Sequence, residues 1–149
     1  MKKKILIVCA NYYKDISIGL LLSAKKLLPK NYNIKIINVP GVFEIPVTIS
    51  KNLKKFDAFI ALGCVIKGQT PHFDFISQAS TNAIMDLSIR SKKPIGNGII
   101  TCLNMKQAKA RKKKGAEAAN SVISILSQKW VIFIVLRITL GWSLFKSFM

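Results

Sequence analysis

Few side chains in this 149-residue chain are suited to chemistry, and most of them cluster. Histidine occurs once, as His72, and histidine is the group whose proton exchanges most readily near neutrality. It follows Gly63-Cys64-Val65-Ile66-Lys67-Gly68-Gln69-Thr70, which nearly spells the phosphate loop G-x-x-x-x-G-K-[ST]. Gln69 stands where that loop needs its lysine, and Cys64-Val65-Ile66 is apolar rather than a glycine-rich cradle. Nucleotide hydrolysis is therefore not expected. What survives is a Gly68-Gln69-Thr70 turn opening a helix, whose backbone N–H groups and dipole suit a single phosphate. His72 at the start of that helix is either a hydrogen-bonded structural residue or a proton-transfer group, and its place beside a phosphate turn favours the second. Without another histidine or a cysteine pair nearby, a metal site is not expected.

A second set of residues suits binding. Tyr12, Tyr13 and Phe43 are either core residues or aromatic faces for a flat ring. Arg111 is one of three arginines in a lysine-rich chain, and its planar fork suits bidentate phosphate binding. Lys112-Lys113-Lys114 beside it is either a solvated basic turn or part of the same clamp.

These residues need elements to hold them. Ile5 to Cys9 is a short continuous apolar run, the mark of a strand buried on both faces. Ala10 to Ser17 reads as polar and irregular, Ile18 to Leu28 as a helix, and Ile34 to Val39 as a second strand. Phe43 to Leu53 reads as a helix beginning near Pro46, Phe56 to Ile66 as the third strand, and about His72 to Ile89 as a long helix. Pro94 to Thr101 is a fourth strand, followed by helix from about Met105, broken near Gly115, then Ala116 to about Gln128. Strands alternating with helices predict an α/β domain with a parallel sheet, right-handed crossovers and helices on both faces. Ligands of such sheets sit beyond the carboxyl ends of the strands. That edge holds the residues after Ala10, Gly41 to Glu44, Lys67 to His72, and Cys102 to Asn104. It therefore carries the only histidine and Glu44, one of six acids.

Half of the residues are apolar and 20% are charged, which excludes disordered and collagen-like chains. The formal charge of +18 suits nucleic acid, an anionic membrane or a small anionic substrate. Lysine is scattered along the chain, so the excess reads mainly as solvated surface, and no nucleic-acid partner is expected. Cys9, Cys64 and Cys102 are odd in number and far apart, which argues against a disulfide framework. The apolar run after Lys4 is too short for a secretory segment, and the expected compartment is the cytoplasm. Residues 129–149 form an apolar tail long enough to span a bilayer. The central Arg137 costs about 2.5–3.5 kcal/mol there, so an aberrant end, as from a shifted reading frame, is preferred to a packing segment or an anchor.

Two blocks are specific in order and spacing: Val39-Pro40-Gly41-Val42-Phe43-Glu44-Ile45-Pro46, and Leu62-Gly63-Cys64-Val65-Ile66-Lys67-Gly68-Gln69-Thr70-Pro71-His72-Phe73-Asp74. With Gly98-Ile99-Ile100-Thr101, Gln107-Ala108, Arg111 and Lys114 to Ala119, they resemble the lumazine synthase family over about residues 4–128. The resemblance implies a flavodoxin-like three-layer α/β/α sandwich with a four-stranded parallel sheet. It implies condensation of 5-amino-6-(D-ribitylamino)uracil with 3,4-dihydroxy-2-butanone 4-phosphate, with neither metal nor cofactor. Tyr12, Val42, Phe43, Glu44, Cys64, Val65, Ile66 and the position of Asn97 would then hold the ribitylaminouracil. Gln69, Thr70, Arg111 and Lys114 would hold the butanone phosphate, and His72 would move protons. A homopentamer with sites shared between subunits is implied, with riboflavin synthase as a further partner. The alternative is a non-catalytic flavodoxin-like binder of a ribityl or phosphorylated ligand. The chain departs from the family pattern at Asn97, where many members carry an aromatic. It departs again in its shorter 111–115 segment, in its start close to the first strand, and beyond Gln128.

Overall fold

The computed structural model describes residues 2–128, so the reading of the 129–149 tail lies outside the described residues. Four strands form one sheet: β1 (Lys4–Ala10), β2 (Asn33–Val39), β3 (Ala58–Ile66) and β4 (Ile95–Cys102). All pair in parallel in the order β2-β1-β3-β4. The helices are α1 (Lys14–Leu27), α2 (Ile45–Ser50), α3 (His72–Ser91), α4 (Met105–Ala110) and α5, which runs through 114–128. A 3-10 turn, Val42–Glu44, precedes α2.

Alternation along the strands builds the layers. Ile5, Ile7 and Cys9 of β1 face one side, where they pack with Ile16 and Leu20 of α1, Ala108 of α4 and Val122 of α5. Leu6, Val8 and Ala10 face the other side, with Ile45 and Ile49 of α2 and Ile84 of α3. The sheet is therefore sandwiched between helices, as the βαβ pattern requires. The central strands β1 and β3 are buried on both faces, which is why they read as unbroken apolar runs.

Most boundaries shift by one or two residues from the sequence reading, and three of the differences have a clear physical basis. Helix α1 starts at Lys14, not Ile18, because the segment read as polar and irregular contains buried Ile16 and Ser17. The Ser17 hydroxyl donates to the carbonyls of Ala10 and Tyr13, so the polar group is satisfied while tying the first helical turn to the end of β1. The stretch read as one helix from Phe43 to Leu53 is a 3-10 turn and a short helix, with Pro46 in the first turn of α2. Strand β3 begins at Ala58 rather than Phe56, after Asp57 N–H pairs with the Lys4 carbonyl.

Helix α4 opens on a reciprocal cap. The Asn104 side chain accepts from Gln107 N–H at 2.9 Å, and the Gln107 side chain accepts from Leu103 N–H at 2.9 Å. Gly115, where the sequence suggests a break, is buried near the start of α5 against α1. A Cβ there would lie 2.0 Å from the Leu20 carbonyl oxygen. Gly115→Ala must push α5 off α1, and overpacking of this kind costs about 1–3 kcal/mol or more. Thermal denaturation is expected to show a large fall in Tm, and an unchanged Tm would contradict this packing. No described helix is long and apolar enough to cross a membrane.

Candidate active site

Strand order reverses direction at β1 and β3, the point where an open parallel sheet leaves a crevice beyond its carboxyl ends. A cleft of about 290 Å³ lies there. Its floor is the end of β3, Cys64-Val65-Ile66, and Tyr12 and Tyr13 enter from the end of β1. Gly41, Val42 and Phe43 form the wall after β2, and Gly68, Thr70 and His72 form the rim leading into α3.

Local chemistry sets each wall. Val42 is buried and passes over Gly63, whose Cβ would lie 2.7 Å from the Val42 Cγ2, so β3 needs a glycine where the 3-10 turn crosses it. The first glycine of the near-phosphate-loop pattern thus serves packing inside a strand. The Glu44 carboxylate accepts from Gly41 N–H at 3.0 Å and closes the turn, while its carbonyl accepts from the Thr48 hydroxyl at 2.8 Å. With the turn fixed in this way, Phe43 remains 65% exposed at the cleft and Tyr12 75% exposed opposite. Exposed aromatic faces over an apolar floor suit a flat heterocycle. Tyr12 and Tyr13 sit edge to face, with ring centroids 4.9 Å apart.

The rim is an anion site in outline. Pro71 caps α3 without a side-chain hydrogen bond, and its carbonyl accepts from Asp74 and Phe75. The amides of Gly68, Gln69 and Thr70 donate to no other described residue. Free N–H groups before a 20-residue helix, with its dipole behind them, attract a phosphate. His72 is the first residue of α3 and is exposed at this rim.

Five residues expected at the site do not line this cleft. Gln69 lies in the rim turn, and Glu44 is engaged with Gly41 as described. Asn97 is exposed on edge strand β4, where its side chain accepts from Ile99 N–H at 3.0 Å. It pairs with Ala61, three positions before Cys64, so it lies about 10 Å down the sheet from the near end of the cleft floor. Arg111 is exposed after α4 and donates through Nη1 to the Gln107 carbonyl at 3.2 Å. Lys114 is exposed and pairs with Glu117 at 2.6 Å. Lys112 is different again: its stem lies across Gly19 of α1 and its carbonyl accepts from the Ser23 hydroxyl, so it packs the helix junction. Conversely, Phe73 and Ile76 line the cleft but were not among the expected site residues. The available signal was their helical phase, one and four positions after His72.

The cysteines are free and buried. Burial pushes the Cys64 thiol up to about 12, with the neighbouring Cys102 adding to it, and pushes Cys9 up to about 11. Burial, then Tyr12 and Cys64, also raises Tyr13. Cys64 is thus a neutral, apolar floor at physiological pH and not a nucleophile. Because the folded thiols hold their protons above the ordinary value of 9.0, they favour the fold fully below that pH. Their contribution is lost as pH rises towards 11 and 12. Thermal midpoints are therefore expected to fall between about pH 9 and pH 12, and less so in Cys64→Ala. An equal fall in that variant would contradict the assignment.

A sequence model of the 6,7-dimethyl-8-ribityllumazine synthase family matches residues 2–129. Among curated proteins, the 6,7-dimethyl-8-ribityllumazine synthase of Agrobacterium fabrum is 40% identical, over 86% of this chain and 95% of its own. That of Bartonella bacilliformis is 42% identical, over 81% of this chain and 88% of its own. That of Cutibacterium acnes is 39% identical, over 83% of this chain and 80% of its own. With a parallel four-stranded sheet and its crevice in the required place, the chain belongs to the 6,7-dimethyl-8-ribityllumazine synthase family.

Proposed function

We propose that the protein condenses 5-amino-6-(D-ribitylamino)uracil with 3,4-dihydroxy-2-butanone 4-phosphate to 6,7-dimethyl-8-ribityllumazine, a transferase step of riboflavin biosynthesis. Membership of the family carries this reading. The amine of the uracil attacks the ketone, an imine forms with loss of water, phosphate leaves, and ring closure expels a second water. Tyr12 and Phe43 stack on the pyrimidine over the Cys64-Val65-Ile66 floor. Val42 to Glu44 hold the uracil and the ribityl chain. The amides around Gln69 and Thr70 receive the phosphate, and His72 carries protons between amine, carbonyl and leaving group. The chemistry is acid–base and positional throughout, the kind that side chains and backbone amides at the cleft can supply. A non-catalytic binder is disfavoured by the family match. It would bind either substrate and convert neither.

The site is completed by a second copy. Arg111, Lys114 and Asn97 are exposed away from their own chain's cleft, which supports their serving a neighbour's. Helix α3 also exposes Phe75, Met85 and Ile89, and α2 exposes Val47, an apolar surface that another copy would cover. A homopentamer is the favoured assembly, in the cytoplasm, where the buried thiols stay reduced. Riboflavin synthase stands as a further partner. Residues 1–128 form the working domain, a reading supported by the family match, which ends at 129. Subunit mixing tests the shared site. Combining His72→Ala and Arg111→Ala subunits by co-refolding is expected to restore part of the activity that each lacks. An active monomer by light scattering would sink the shared arrangement.

A further inference from the structure

Read along the chain, the lysines look scattered, but the fold gathers them. All four strands are parallel, so every strand begins at one end of the sheet, opposite the cleft. Each connection returning to that end is basic. Lys2, Lys3 and Lys4 lead into β1. Lys25 and Lys26 close α1, and Lys30 and Lys35 flank the start of β2. Lys51, Lys54 and Lys55 follow α2 into β3, and Lys92 and Lys93 follow α3 into β4. Ten of these twelve are exposed. The half-buried Lys93 is engaged, donating to the carbonyls of Leu53 and Phe56.

The charge is not neutralised within the described residues. Their two ion pairs are Arg90–Asp86 and Lys114–Glu117, so none of the ten exposed lysines is in one. Asp57 is the acid at the strand starts, and its carboxylate accepts from the Lys4 backbone N–H. Helix C-terminal dipoles account for favourable placement of Lys25 and Lys26 in the last turn of α1, and of Lys51 and Lys92 at the ends of α2 and α3. The remaining ammoniums repel one another within a screening length of about 8 Å, and a polyanion would relieve that repulsion.

We propose that this basic end docks a nucleic-acid duplex through its phosphates, without reading sequence. Lysine point charges suit backbone contact rather than base recognition. The exposed aromatics among the described residues, Tyr12, Phe43 and Phe75, belong to segments at the other end. Among the described residues, the basic end therefore offers no exposed aromatic, either as a stacking platform for single strands or as an aromatic anchor at a bilayer interface, and its exposed apolar side chains include Leu27 and Ile89. A duplex supplies the densest linear array of phosphates to a rigid face of this kind. Lysines scattered in sequence gave the expectation of no nucleic-acid partner; their arrangement in space is what suggests one.

Fluorescence anisotropy with a mixed-sequence labelled duplex tests this on the full chain. Contact with about four phosphates predicts that affinity falls about 100-fold between 50 and 200 mM salt. Lys54→Glu with Lys55→Glu is expected to weaken binding about tenfold or more while leaving lumazine formation unchanged. Lys106→Glu with Lys109→Glu, on α4, alters the net charge equally and is expected to weaken it no more than about threefold. Should the first pair lose lumazine formation through misfolding, Lys25→Glu with Lys26→Glu replaces it. Equal weakening by both pairs would show an effect of total charge and overturn the docking face. So would an absence of duplex binding at the lower salt, or lysine-dependent capture by anionic vesicles with none by the duplex.

Discussion

Arg111→Ala is expected to raise the KM for the butanone phosphate about 10- to 100-fold, the range for losing a charge-assisted hydrogen bond to an ionised group. The KM for ribitylaminouracil should change little. The structure makes this a clean experiment. Arg111 is exposed, and its side chain makes one hydrogen bond among the described residues, to the Gln107 carbonyl, so its removal should leave the fold intact. Arg111→Lys should recover only part of the loss, because an ammonium lacks the planar fork. An unchanged constant for the phosphate substrate would place the clamp elsewhere. Lys113 would be the next candidate, because Lys112 packs over Gly19 and Lys114 is paired with Glu117.

His72→Ala should act on the other kinetic constant. General acid–base help is worth about 10²–10⁴-fold, so turnover should fall within that range while the KM for the phosphate substrate stays near wild type. Measurable activity should remain. A nucleophilic amine and a reactive ketone held together gain roughly 7–11 kcal/mol from proximity alone. His72 is exposed at the head of α3 and makes no described side-chain hydrogen bond, so a structural role predicts a different result. That role would leave the pH profile of turnover between about pH 6 and pH 9 unaltered, whereas loss of a proton-transfer group flattens it.

The contrast between these two residues shows what a sequence can disclose. His72, Tyr12, Phe43 and Thr70 were legible because a parallel sheet places ligands at the carboxyl ends of its strands, and each follows a strand whose apolar run is plain. Phe73 and Ile76 were not, because they reach the cleft through the phase of a helix whose start had to be known to the residue. The start of α1 was misplaced for a related reason: Ser17 counts as polar in a pattern, yet it is buried and doubly hydrogen-bonded. Arg111, Lys114 and Asn97 mark a different limit. Their residue types suggest a role, but the chain does not bring them to its own cleft, and a residue's type alone does not place it in space. The basic end is the reverse case. Each connection looks ordinarily lysine-rich, and only parallel topology puts all of them on one side.

The most direct test of the central claim is a time course of the purified protein with both substrates, following lumazine absorbance and released inorganic phosphate together. The account predicts that both rise faster than in the protein-free mixture, in equal amounts, and that neither rises with one substrate withheld. Folded protein that binds the substrates yet leaves both traces at the uncatalysed rate would contradict it.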